Sequence, residues 1–166
     1  MADSLEIRVR RARPSDAERI AAFVSQRRPR SPITPDQVRE RLGTVGFLMA
    51  EMNGELVGLL GWQVENLVVR VTDFLIYPAR LSLVAGRALL TAMEAAANEL
   101  MCEAVILVTP RTPPPEVLEF WEAFGYHARD IASLPRAWRE AAREANPISD
   151  QVMFKQLRTE RILHPI

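Results

Sequence analysis

The chain has 166 residues, 48% of them hydrophobic, which is enough apolar material for one core and reads as a single domain over 1–166. Its 21 basic and 21 acidic residues cancel, so no positive excess gathers nucleic acid or an anionic membrane, and no apolar run approaches the ~18 residues of a bilayer span. Cys102 is the one cysteine and lies between two apolar stretches, which excludes an internal disulfide framework and reads as a buried thiol in a reducing, cytoplasmic setting.

The chain opens on Met1-Ala2-Asp3-Ser4 and reaches charged residues at once, so no leader or anchor is expected. Residues 5–13 then alternate apolar and charged side chains with period two, predicting a strand with one wet face. Ser15 with Glu18 has the spacing of a capping box, and Ala17, Ile20, Ala21 and Val24 follow on one helical face. The stretch Arg27-Arg28-Pro29-Arg30-Ser31-Pro32 is a loop, and Thr34-Pro35-Asp36-Gln37 caps a short helix to about Leu42. Residues 46–52 and 55–62 flank Asn53-Gly54, the pair that best tolerates positive φ, and predict a hairpin.

A long strand from about Leu67 to Tyr77 ends at Pro78, and alternation places Val71, Asp73, Leu75 and Tyr77 on one face. Alanine and leucine dominate from Gly86 to Ala97, predicting a helix, and Ala104 to Val108 predicts a buried strand. After the prolines at 113–115, Val117, Phe120, Trp121 and Phe124 form a helical stripe that stops at Gly125. A short strand near Tyr126–Ile131, a helix with Leu134, Ala137, Trp138, Ala141 and Ala145 on its face, and a strand over 151–157 complete the order β-α-α-β-β-β-α-β-α-β-α-β.

Several segments together resemble one family: the capped helix pair after the first strand, the Asn-Gly hairpin, the run Asp73-Phe74-Leu75-Ile76-Tyr77-Pro78, the helix start Gly86-Arg87-Ala88-Leu89-Leu90, and Phe120-Trp121-Glu122-Ala123-Phe124-Gly125-Tyr126. Order and segments are similar to the GNAT acyl-CoA N-acyltransferase superfamily over nearly the whole chain. The resemblance implies an α/β (α+β) fold with a central mixed, mostly antiparallel sheet of about six or seven strands flanked by helices. It implies acyl transfer from acetyl-CoA, with CoA as product, to a primary amine of a small molecule or peptide. It carries cofactor contacts onto Leu75, Ile76, Arg80, Ser82, Leu83, Val84, Ala85, Gly86 and Arg87, where backbone N–H groups and a helix start would face a pyrophosphate.

The sequence departs from the family pattern in four places. Val84 stands at the loop's first glycine and crowds it, while Leu81 stands where Arg or Gln is usual. Arg80 and Arg87 can supply charge, and Ser82 a hydroxyl donor or a cap. Trp121 occupies the family's tyrosine position, and an indole cannot act as a general acid. Pro114 occupies the upstream asparagine position, so neither of these two functional residues transfers.

Asp73 is the best candidate base, facing the same way as Tyr77; its alternative is an ordinary hydrogen-bonded carboxylate. Tyr77 and Tyr126 are the only tyrosines, and Tyr77, beside the cofactor loop, is the better candidate acid; the alternative for each is packing. His127 and His164 are too far apart for a metal site, and no metal is expected. The arginines at 27–30 offer cations to an acidic substrate or partner, or form a solvated loop. Val84, Pro114 and Trp121 keep a second reading open, a catalytically degenerate GNAT-fold module with a regulatory or protein-interaction role. A homodimer also stays open.

Overall fold

The computed structural model describes residues 6–109, 113–145 and 151–158; Leu5 and His164 lie outside them. Among the described residues, seven strands form a mixed, mostly antiparallel sheet accompanied by five α-helices, and the order of elements is the expected one. Two compact units divide the chain, Met1–Gln63 with Thr72–Met93, and Val64–Val71 with Glu94–Ile166.

In the first unit, β1 (Arg8–Arg11) pairs antiparallel with β2 (Gly46–Met52). The strand stops short of the expected Arg13, because Pro14 opens a 3₁₀ turn over Pro14–Asp16 and cannot donate to a ladder. That turn also removes the expected cap, and no side chain caps the helix that follows, α1 (Ala17–Arg27). Ser15 lies inside the turn, and Asp16 accepts from the Arg13 backbone N–H at 2.8 Å. α2 (Pro35–Arg41) carries the expected box, with Thr34 Oγ1 accepting from Gln37 N at 3.1 Å and Gln37 Oε1 accepting from Thr34 N at 2.8 Å.

β2 turns into β3 (Glu55–Glu65) through Asn53 and Gly54, whose φ angles of 52° and 80° are those the tight turn requires. β4 (Val68–Ile76) follows, and Tyr77 N donates to Val57 O at 2.9 Å. α1 and α2 bury Ile20, Phe23 and Val38 against Phe47, Met49 and Leu59, each such side chain stabilising the unit by roughly 1.5–3 kcal/mol. On Gly58 a Cβ would lie 3.0 Å from Leu89 of α3 (Ser82–Glu99), so the bare glycine lets that helix sit close to the strand.

In the second unit, the start of β4 pairs parallel with β5 (Ala104–Leu107) from Val68↔Ala104 to Arg70↔Ile106. β7 (Gln151–Gln156) pairs antiparallel with both β5 and β6 (His127–Asp130), which sets the strand order β1-β2-β3-β4-β5-β7-β6. α5 (Arg136–Ala145), with Leu134 just ahead of it, lays the expected stripe of Ala137, Trp138, Ala141 and Ala145 into a core with Ile106 and Phe154. Glu103 is buried there and accepts from Trp138 Nε1 at 3.1 Å, the kind of bond a buried polar group needs. Cys102 is buried, and desolvation pushes its thiol up, away from the reactive thiolate.

Candidate functional site

Asp73 lies on β4 and does not stand alone. Its Oδ1 and Oδ2 accept from Arg41 Nη1 and Nη2 at 3.1 and 2.6 Å, a two-pronged pair, and Oδ2 also accepts from Thr72 Oγ1 at 2.8 Å. Arg41 reaches it from the last turn of α2, whose start is fixed by the Thr34 box. Gly61 makes room on β3: a Cβ there would fall 2.5 Å from Asp73 Oδ2 and 2.7 Å from Thr72 Oγ1. Oδ2 thus accepts two bonds and Oδ1 one, which ties the carboxylate to Arg41 and Thr72.

The two tyrosines differ. Tyr77 is 52% exposed, with the Arg27 guanidinium over its ring, 3.8 Å from the centroid. Arg27 also lies 4.8 Å from the Phe23 centroid, so the end of α1 is fixed over the end of β4. Tyr126 is fully buried, and its hydroxyl donates to Glu94 Oε2 at 2.9 Å. Burial, reinforced by Glu94, pushes the Tyr126 phenol far up, so it keeps its proton throughout the physiological range. Of the two, Tyr77 is the one a ligand can reach.

The expected cofactor residues gather around the start of α3, which begins at Ser82, four residues ahead of the expected Gly86. A 3₁₀ turn over Ala79–Leu81 leads in, and Ser82 Oγ donates to Ala79 O at 2.7 Å, so the hydroxyl proton serves the turn. Residues 82–86 are thus the first turns of a helix rather than an open loop. Leu81, Ala85 and Gly86 are buried, whereas Leu83 and Val84 face outward, 59% and 37% exposed. Arg80 and Arg87 are exposed, and no acidic residue occupies the first turn of α3. Leu75 packs against the core of α1 and α2, and Ile76 lies beside Gly58, where a Cβ would meet it at 3.5 Å.

Trp121 lies on α4 (Pro115–Ala123), buried, with its ring edge-on to Tyr126 at 5.4 Å between centroids; Pro114 precedes the helix. His127 sits on β6, all of whose residues are exposed. Among the described residues no three His, Cys, Asp or Glu side chains cluster to hold a metal, and no helix is long and apolar enough to cross a membrane. Sequence reasoning missed Arg41, and it offered Arg27 only as part of a basic loop. Nothing in the sequence pointed to Arg41; the trace of the site is Gly61, a glycine inside a strand, which marks the close approach of Asp73 and Thr72.

Residues 15–126 match the model of the acetyltransferase (GNAT) family, a stretch that contains Asp73, Tyr77 and the whole of α3. The chain belongs to that family. Its fold is similar to that of a GNAT-family acetyltransferase from Staphylococcus aureus Mu50, at 17% identity and a TM-score of 0.69, covering 92% of this chain and 100% of that one. It is similar to the PaiA N-acetyltransferase of Thermoplasma acidophilum, solved in complex with coenzyme A, at 14% identity and a TM-score of 0.65, covering 92% and 99%. The ribosomal-protein-S18-alanine N-acetyltransferase of Escherichia coli matches at 15% identity and a TM-score of 0.65, covering 96% and 99%. No curated protein matches the chain.

Proposed function

We propose that this family member is an acetyl-CoA-dependent N-acetyltransferase acting on a primary amine of a small molecule or peptide. The family match over 15–126 carries the reading, and the coenzyme A bound by the Thermoplasma neighbour supports the cofactor. The start of α3 fits a diphosphate in charge, with Arg80 and Arg87 exposed, no acid in the first turn and the positive end of an 18-residue helix. Leu83 and Val84 turn their side chains outward, where they would border the cofactor instead of filling the core.

Acetyl-CoA, when bound, supplies an acyl thioester whose C–S bond breaks as the C–N bond forms, the amine losing one proton to solvent and the thiolate gaining one from a donor that solvent then reprotonates. Tyr77, exposed at the end of β4, is the proposed donor of that proton. Asp73 is proposed to orient Arg41 and the strand, because its carboxylate is held by the two-pronged pair with that guanidinium. Buried, unpaired Cys102 supports a cytoplasmic setting.

Calorimetric titration with acetyl-CoA and CoA, followed by a thiol-release assay over an amine panel, tests the reading. Binding with turnover is expected, and Asp73→Asn is expected to retain activity within about tenfold, whereas loss of a direct base would remove about 10²-fold or more. Cofactor binding without turnover on any amine would instead favour the degenerate module, and no binding at millimolar ligand would end the transferase reading.

A further inference from the structure

We infer that the acceptor amine carries an anionic group, a carboxylate or a phosphate, gripped by the basic turn that follows α1. The inference rests on the transferase reading and names the substrate class of the same site. Some arginines of the first unit are ion-paired and others, Arg8, Arg11, Arg13 and Arg80 included, are not among the described residues; the turn after α1 is where three without an ion pair fall within four positions. Arg10, Arg19, Arg39 and Arg41 are ion-paired with Asp16, Glu51, Glu18, Asp36 or Asp73. Arg27, Arg28 and Arg30 have no carboxylate partner among the described residues; Arg27 Nη1 donates only to the neutral amide of Gln26, at 2.6 Å, and its buried Nε has no partner.

This occurs in a chain whose charges balance, so acids to neutralise the turn were available, yet residues 27–34 contain none. A cation at the end of α1 is favoured by the helix dipole, but Arg30 lies beyond the helix and gains nothing from it. The turn is also held in place. Ser31 N donates to Arg28 O at 2.9 Å, and Ser25 Oγ accepts from Ile33 N at 3.0 Å and donates to Ile33 O at 3.1 Å.

Arg27 brings the turn to the chemistry. Its guanidinium carbon sits 3.8 Å from the centre of the Tyr77 ring, in contact with the ring face, at the strand end that carries the proposed proton donor. A guanidinium resting on an aromatic face keeps N–H donors at its rim; with Nη1 on Gln26 and Nε buried, Arg27 offers Nη2, and the exposed Arg28 and Arg30 supply the forks that match a carboxylate or phosphate. An acceptor anchored there by its anion would present its amine beside Tyr77, which is how binding away from the reacting atoms positions a nucleophile.

The test uses the full chain and matched amines: ω-amino carboxylates against their amides, and O-phosphoethanolamine against ethanolamine. Acetyl transfer, CoA affinity by calorimetry, and amine binding without CoA by saturation-transfer NMR are measured for the natural chain and for Arg28→Gln/Arg30→Gln. The anionic amines are expected to be used about tenfold or more better than their neutral partners, with the double variant raising KM about tenfold and leaving kcat and CoA affinity within about twofold. Preference between the carboxylate and phosphate arms identifies the anion. Equal use of neutral amines, or a KM unmoved in the double variant, overturns the anion site while leaving the transferase standing. Arginine-dependent binding of anionic amines without CoA binding keeps the anion site and overturns the transferase; binding of neither overturns both.

Discussion

The surroundings of Tyr77 and Tyr126 separate a side chain consumed by the fold from one left open to a ligand. Around Tyr126 each polar group finishes another: its hydroxyl donates to Glu94 Oε2, Lys155 Nζ donates to Glu94 Oε1 at 2.7 Å, and the same Nζ donates to Phe124 O at 3.0 Å. Lys155, the only lysine in the sequence, is committed there. Around Tyr77 the nearest cation lies on the ring face, and the side chain stays half exposed. Saturated neighbours make a tyrosine structural, and an open edge makes one available.

The largest expected effect tests the closed side of that contrast. Tyr126→Ala should cost about 3–5 kcal/mol of unfolding free energy in urea, as truncation of a buried aromatic does, and Tyr126→Phe about 1–2 kcal/mol for the lost bond to Glu94. Tyr77→Ala should cost less than about 1 kcal/mol, as for an exposed position. A Tyr126→Ala chain no less stable than Tyr77→Ala would break the comparison.

The paired and unpaired arginines carry the same contrast into charge. The Arg10 hydrogen bond, opposed by burial and helped by the Arg13 backbone N–H, holds Asp16 down at about 2 from its ordinary 3.8. A carboxyl depressed in the folded state stabilises above its unfolded value and loses that contribution as pH falls toward the folded one. Stability is therefore expected to drop between about pH 4 and pH 2 by on the order of 2 kcal/mol, and Asp16→Asn should remove that slope in denaturant melts taken across the range. Arg28→Gln, in the open turn, should change stability by less than about 0.5 kcal/mol.

What the sequence made legible was local. Asn53-Gly54 announced a turn because positive φ is a property of those two residues, and Thr34 with Gln37 announced a cap because both partners lie within one helical turn. The α5 stripe was readable because one periodicity selects one face. The site was less legible because its partners are distant in sequence. Arg41 meets Asp73 across 32 positions, and nothing in either segment names the other. The early start of α3 was hidden for another reason: Val84 looks like loop crowding until the helix turns it outward. Ser15 lost the cap position because the 3₁₀ turn absorbed it: Asp16 stands at the start of α1 with its side chain turned back to Arg13 N and not onto the helix.

Gly61→Ala probes the one trace that the site did leave. With Asp73 Oδ2 at 2.5 Å, Thr72 Oγ1 at 2.7 Å and Phe47 Cε1 at 2.9 Å from the new Cβ, all three side chains must give way. The cost should be about 1–3 kcal/mol, as for overpacking elsewhere, and the Arg41–Asp73 geometry should loosen with it. A crystal structure of the variant, or a double-mutant cycle with Arg41→Gln, checks whether the two effects are coupled.

The smallest expected change in stability is also the most telling for the chemistry. Tyr77→Phe removes one oxygen from an exposed ring and leaves the Arg27 stacking surface intact, so unfolding free energy should move by less than about 0.5 kcal/mol. If the hydroxyl protonates the departing thiolate, kcat should nonetheless fall by about 10²-fold, with KM for the amine nearly unchanged, because the lost contact exists only as the C–S bond breaks. A fall in kcat that disappears with a more acidic leaving thiol would confirm the proton as the reason. An unchanged kcat would move the acid elsewhere and leave Tyr77 as the platform on which Arg27 rests, and the contrast between the two tyrosines would then be one of exposure alone.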